Sequence, residues 1–158
     1  DLHGGETVID AYCGTGTISL CLAQKAGRVI GIEIVKEAIE DAKKNAAFNH
    51  IENAEFYTAD AGEFMPKLYQ EGLRPDVIVM DPVRAGCSET VLSAAAGMQP
   101  SHIVYVSCNV ATFARDAKIL AGLGYTVKEV TPVDMFPQTM HVETVALLTR
   151  NENMIPSI

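Results

Sequence analysis

The chain has 158 residues, enough for one domain with a buried core. A hydrophobic content of 48% against 20% charged residues excludes a disordered chain, and no apolar run approaches the roughly 18 residues that span a bilayer. The net charge of −8 argues against a self-sufficient nucleic-acid binder, whose phosphate contacts need clustered Lys and Arg.

The start, Asp1 to Glu6, is polar, carries no signal peptide, and enters an apolar run within a few residues. This leads us to expect one domain over residues 1–150, cut from a longer cytoplasmic protein, with 151–158 as a C-terminal tail. The cysteines are Cys13, Cys21, Cys87 and Cys108. None forms a C-x-x-C pair and no His clusters with them, so no metal site is expected.

Taken in chain order, Thr7–Tyr12 reads as a buried strand, followed by a glycine turn and a helix over Gly16–Ala26. Val29–Glu33 is the second strand, and Lys36–Asn49 is an amphipathic helix with Ala38, Ile39, Ala42 and Ala46 on its apolar face. Ala54–Thr58 is a strand and Ala61–Tyr69 a helix; Asp76–Met80 is apolar throughout, as a strand covered on both faces should be. Glu89–Ala96 is helical, Ile103–Val106 a strand, and Ala111–Leu123 a helix that Gly124 ends. Tyr125–Val133 and Val142–Leu148 close the domain as two strands with no helix between them. Such alternation implies an α/β fold with a parallel sheet, finished by an antiparallel pair at one edge.

Gly14 and Gly16 in V-I-D-A-Y-C-G-T-G-T permit a tight strand-to-helix turn and close approach of a ligand. Ser19 stands where a dinucleotide fingerprint needs its third glycine, so the turn alone reads equally well as an ordinary connection. Glu33 ends the second strand, where a carboxylate can accept from two ribose hydroxyls or simply precede a helix N-terminus. Asp60, after the third strand, can accept from an adenine amino group or cap the next helix. Together, on the carboxyl edge of one sheet, these features favour an adenosine-bearing cofactor.

Two further strand ends carry reactive groups. Met80-Asp81-Pro82-Val83-Arg84-Ala85-Gly86 follows the fourth strand, and Val106-Ser107-Cys108-Asn109 follows the fifth. Cys108 precedes a helix whose positive end favours the thiolate, the nucleophilic form; the other three cysteines lack that setting and are expected to be structural. The loop Asp134-Met135-Phe136-Pro137-Gln138-Thr139-Met140-His141-Val142-Glu143 concentrates apolar groups, a Pro and a His-x-Glu pair. Glu143 borders an apolar strand, which suits either a proton acceptor or a structural carboxylate bonded to His141 or backbone. His141 reads as an orienting or structural residue.

These segments together resemble the C-terminal catalytic domain of the RNA 5-methyluridine (uracil-C5) methyltransferases, which act on tRNA or large-subunit rRNA. The likeness runs from about Thr7 to Arg150 and is most specific in V-Y-V-S-C-N-V-A-T-F-A-R-D and V-D-M-F-P-Q-T-M-H-V-E. It implies a Rossmann-like class I fold with a mostly parallel seven-stranded sheet and an antiparallel C-terminal strand. It also implies an S-adenosylmethionine site lined by Tyr12, Gly14, Gly16, Thr17, Glu33, Asp60 and Asp81. By the same resemblance, Cys108 would add to C6 of the target uracil and Glu143 would take the C5 proton, with Asp81, Arg84 and Phe136 near the base. RNA would be held mainly by an N-terminal region outside this chain, and neither metal nor membrane is implied for this domain. Val83 and Val110 stand where the family usually has proline, so both loops are expected to be slightly looser. Two rival readings are a class I methyltransferase with another acceptor and a non-catalytic nucleotide-binding module.

Overall fold

A computed structural model describes residues 2–135 and 137–151. The elements run β1 (Thr7–Asp10), α1 (Thr17–Ala23), β2 (Arg28–Glu33), α2 (Lys36–Phe48), β3 (Ala54–Thr58) and α3 (Ala61–Gln70). They continue with β4 (Val77–Met80), α4 (Glu89–Gly97), β5 (His102–Ser107), α5 (Val110–Gly122), β6 (Tyr125–Val133) and β7 (Glu143–Arg150). All the expected elements are present, with ends shifted by a few residues. β1 stops at Asp10 because the chain must already turn there: Gly14 and Gly16 take φ of +51° and +87°. α1 stops at Ala23, three residues early, because Asn53 Nδ2 takes its last carbonyls, donating to Ala23 O at 2.8 Å and to Ala26 O at 2.9 Å.

Seven strands form one sheet in the order β3-β2-β1-β4-β5-β7-β6. The pairs from β3 to β5 are parallel, whereas β7 pairs antiparallel with both β5 and β6. The final strand is therefore inserted inside the sheet, and β6 occupies the edge. The strand order reverses direction between β1 and β4, which puts the ligand-binding crevice of such a sheet outside their carboxyl ends.

Alternate strand residues feed two cores, which is why the central strands are apolar without interruption. Ile9, Ile30, Ile32, Ile78 and Met80 pack against one face with Met65, Leu92 and Leu120 of α3, α4 and α5. Val8, Val29 and Val79 face the other side with Ala23 of α1, beside a cluster of Cys13, Ile39, Ala42, Ala46 and Phe56 that seats α2. Of the four residues expected on the apolar face of α2, three are buried and Ala38 is half-buried. Asp60, Ser88 and Asn109 cap α3, α4 and α5 with side-chain oxygens, and Gly124 follows α5 with φ of +95°. No helix among the described residues is long and apolar enough to cross a membrane.

The second core leaves no room at Gly31, where a Cβ would lie 2.6 Å from the Phe56 ring and 2.9 Å from Cys13 Sγ. We expect Gly31→Ala to destabilise the chain by about 1–3 kcal/mol in urea denaturation, the usual cost of overpacking. Gly97→Ala is the control: at the end of α4 its Cβ meets nothing within 4 Å, and it should be neutral or stabilising by up to about 1 kcal/mol.

Candidate active site

The carboxyl edge of the sheet is built from the ends of β1, β2, β3, β4, β5 and the start of β7. At β1 the chain turns with Cys13 N donating to Ile32 O (3.0 Å) and Gly16 N donating to Cys13 O (2.8 Å). Gly16 is needed twice, for its φ and because a Cβ would meet Ala42 and Phe56 at 3.2 Å. Gly14 is different: its φ is positive, yet a Cβ would meet nothing within 4 Å, so the turn faces open space there. Tyr12 is half-buried and Thr17, which opens α1, is exposed.

Glu33 ends β2 and ties the turn down, one oxygen accepting from Gly14 N at 3.3 Å and the other from Val35 N at 3.0 Å. A carboxylate has about four acceptor positions, so these two bonds leave capacity for a pair of ligand hydroxyls. Both readings of Glu33 are thus compatible with one geometry. Asp60 caps α3, with Oδ1 accepting from Glu63 N at 3.2 Å, so the helix-capping reading of this residue is realised. Its exposed carboxylate still stands at the end of β3 on the same edge.

Strand pairing assembles the reactive groups. In the antiparallel register of β5 and β7, Ser107 lies opposite Thr144. Cys108 follows Ser107 just past the end of β5 and Glu143 precedes Thr144 at the start of β7, so both lie at this end of the β5–β7 ladder. On the other side of β5, Met80 pairs with Tyr105, so Asp81 leaves β4 at the same edge of the sheet. Asp81 is half-buried, and its carboxyl is held above the usual carboxylate range by burial first and then by the neighbouring charge of Glu143. Cys108 is half-buried in a turn that Ser107 holds, its Oγ accepting from Asn109 N (3.0 Å) and donating to Asn109 O (2.9 Å). Asn109 Oδ1 then caps α5 by accepting from Ala111 N at 3.1 Å.

The remaining expected positions divide. Arg84 is exposed, and its Nη2 lies 3.1–3.2 Å from both ring nitrogens of His141. The imidazole is thus engaged by Arg84, linking the loop after β4 to the loop before β7. Phe136 lies outside the described residues. Val83 and Val110 are exposed, at 74% and 57%, and Val110 simply opens α5 behind the Asn109 cap. Among the other cysteines, burial pushes the Cys13 thiol up to about 12 and the Cys87 thiol up to about 11, so both stay protonated as structural residues should. Cys21 departs from expectation. It is exposed on α1, because the helix turns that position away from β1, and so it has no packing role. Among the described residues no group of three or more His, Cys, Asp or Glu is arranged to hold a metal ion.

Residues 3–151 match the family described as tRNA (Uracil-5-)-methyltransferase. The chain belongs to this family. A Bacillus cereus relative named an uncharacterized RNA methyltransferase is 58% identical over 151 residues, covering 96% of this chain and 33% of the relative. Among solved structures, the tRNA (uracil-54, C5)-methyltransferase of Pyrococcus abyssi, in complex with S-adenosyl-L-homocysteine, superposes with a TM-score of 0.79 at 37% identity. That match covers 94% of this chain and 35% of the other. An rRNA methylase from Streptococcus thermophilus superposes at 0.76 with only 12% identity, over 96% of this chain and 90% of that one, which speaks to fold alone. The fold is that of the class I S-adenosylmethionine-dependent methyltransferases. The chain spans about a third of the length of the curated relatives it matches.

One residue of this uracil-methyltransferase family member escaped the reading of its sequence. Asp10, at the end of β1, is fully buried; its Oδ2 accepts from Ser19 Oγ at 2.7 Å, while Oδ1 has no hydrogen-bond partner. The Tyr12 amide lies near enough to help the charge electrostatically without bonding Oδ1 in good geometry. Burial dominates and pushes the carboxyl from its ordinary 3.8 up to about 6. An acid that binds its proton more tightly folded than unfolded contributes most to stability below about pH 4 and least above about pH 6. Between those limits the loss amounts to about 3 kcal/mol. We expect Asp10→Asn to abolish this dependence, so that its stability relative to the parent improves steadily from about pH 4 to about pH 7 in urea titrations. A pH-independent difference between the two would mean that Asp10 stays ionised in the fold.

Proposed function

We propose that the protein containing this domain transfers a methyl group from S-adenosylmethionine to C5 of a uridine in RNA, through a covalent adduct on Cys108. The observation that supports this reading is the β5–β7 register, whose last pair, Ser107 with Thr144, has Cys108 and Glu143 as its chain neighbours at the edge that also holds the glycine turn. S-adenosylmethionine, when bound, supplies the electrophilic methyl group. Tyr12, Gly14, Gly16, Thr17, Glu33, Asp60 and Asp81 are the residues to hold it, with Glu33 accepting from the ribose hydroxyls. The open space at Gly14 and the spare acceptor positions of Glu33 fit such a group.

Uracil C5 is a weak nucleophile until a thiolate adds at C6. Cys108 forms the sulfur–C6 bond, and the C5=C6 pair moves toward the O4 carbonyl as an enolate. C5 would then take the methyl group, the electron pair of the broken carbon–sulfur bond staying on the sulfur of the departing cofactor. Glu143 accepts the C5 proton, and the released pair restores C5=C6 as Cys108 leaves as thiolate. Asp81 and Arg84 flank the reacting base, with Phe136 as a further base contact. The base must leave its stack to reach this edge, and the exposed Met135, Met140 and Val142 of that loop suit a flipped ring.

The acidic balance of this domain assigns RNA backbone contacts to an N-terminal region of the longer protein, with rRNA or tRNA as the substrate. Residues 1–150 act as the catalytic domain, and the cytoplasm is the place of action; the tail expected over residues 151–158 lies, beyond Asn151, outside the described residues.

The full-length protein should be tested with S-adenosylmethionine and tRNA or rRNA transcripts carrying 5-fluorouridine. Fluorine cannot be removed by Glu143, so a covalent adduct mapping to Cys108 should accumulate and be absent in Cys108→Ser. With ordinary uridine, Glu143→Gln should accumulate the methylated adduct and turn over at least about 100-fold more slowly. No adduct on any transcript, despite cofactor binding, would point to a different methyl acceptor.

A further inference from the structure

The motif R-D at the end of V-A-T-F-A-R-D takes no part in the chemistry above, yet Asp116 is fully buried on α5 between Phe113 and Leu120. Such a residue needs many donors, and Asp116 has them. Its Oδ2 accepts from Tyr105 Oη at 2.6 Å and from Cys87 N at 2.8 Å. Its Oδ1 accepts from Arg115 Nε at 2.7 Å, with Arg115 Nη2 also 2.7 Å away. Arg115 Nη2 reaches on to the carbonyls of Ala85 (3.0 Å) and Cys87 (3.2 Å).

The pair therefore grips the backbone of residues 85–87 by one amide and two carbonyls. Gly86 shows how tight the grip is. Its φ is +80°, and a Cβ there would lie 2.6 Å from both Arg115 Nη2 and Asp116 Oδ2. One turn earlier on α5, Asn109 Nδ2 and Thr112 Oγ1 donate to Arg84 O at 3.4 and 3.3 Å. The loop that starts at Asp81 is thus pinned at two levels to the helix that starts just after Cys108. Tyr105 anchors the same carboxylate to β5, the strand that delivers Cys108. The Cys87 thiol lies 4.0 Å from Met80 Sδ at the end of β4 and feels the hydroxyls of Tyr105 and Tyr12, which oppose the upward push of burial on its proton affinity.

Resting on the uracil-C5 reading above, we infer that Arg115 and Asp116 are positioning residues that set the Asp81–Arg84 loop against Cys108, touching neither substrate nor cofactor. Bond formation between Cys108 and C6 demands that the base, held by the loop, meet the thiolate within a narrow range of distance and angle. Loosening the loop should slow that step and leave the cofactor side intact.

The test uses the full-length protein with unmodified tRNA and rRNA transcripts. Arg115→Gln is the first variant, because the Arg115 side chain is half exposed, at 52%, and its replacement should fold. Its single-turnover methyl transfer and its rate of 5-fluorouridine adduct formation should fall by about 10-fold to 100-fold. Its dissociation constant for S-adenosylmethionine should stay within about twofold of the parent, as expected when transition-state alignment rather than binding is lost. Arg115→Lys, which keeps the charge without the fork, should recover part of the rate. Asp116→Asn, which keeps an acceptor for Tyr105 but not the charge that orients Arg115, should repeat the pattern. Parental rates in both Arg115→Gln and Asp116→Asn overturn the inference while leaving Cys108 chemistry standing. So does a loss of rate matched by loss of cofactor affinity and a lower melting temperature, which marks a fold-maintaining role only. A parent enzyme that forms neither 5-methyluridine nor a Cys108 adduct on any transcript removes the underlying reading and this inference together.

Discussion

The six residue pairs that join β5 to β7, from His102 opposite Thr149 to Ser107 opposite Thr144, fix which residues come together at the carboxyl edge of the sheet. β5 carries Cys108 at its end and β7 starts with Glu143, so only an antiparallel pairing brings these groups to the same edge. The register is protected by burial: Ala146 and Leu148 face the core beside Ile103 and Tyr105, and a slip of one residue would turn them toward the opposite face. Because β7 is inserted between β5 and β6, it is paired on both sides from Thr144 to Thr149, and Glu143 itself is paired with Val133 of β6. The edge position is left to β6, which is mostly exposed and contains Pro132, a residue that blunts further pairing.

Around this ladder two buried carboxylates contrast instructively. Asp10 has a single hydroxyl for one oxygen and nothing for the other, and its proton affinity rises accordingly. Asp116 receives bonds from a phenol, a backbone amide and a guanidinium, so its burial is compensated and its charge organises a loop. The first lies under the glycine turn of the cofactor end, the second behind the reactive end. Between them, Tyr12 and Cys87 provide the physical continuity from one half of the site to the other.

Fold class and the order of the strands were legible from periodicity, because a parallel sheet covered on both faces forces unbroken apolar runs separated by helical patterns. Thr7, Glu33 and Asp60 stood where that logic put them. The ends of helices were less legible: α1 is shortened by Asn53, thirty residues away in the chain from Ala23 and invisible to local propensity. Cys21 illustrates the same limit, since which side of a seven-residue helix meets the sheet is settled by packing. Arg115 and Asp116 did carry a signal that composition alone does not weigh, a carboxylate in helical phase with Phe113 and Leu120 on an apolar face.

By itself, the sequence determined the order of elements, the carboxylates and glycines at successive strand ends, and the motifs that carry the family likeness. These are local properties, set by side-chain periodicity and by which residues tolerate a tight turn. Tertiary structure alone decided that Cys108 and Glu143 come to the same end of one strand pair, that the charge of Glu143 reaches Asp81, and that Arg84 engages His141. Those pairs are 35, 62 and 57 residues apart in the chain, and no local preference encodes their distance. Strand order and register do, and they follow from the whole sheet closing its core at once.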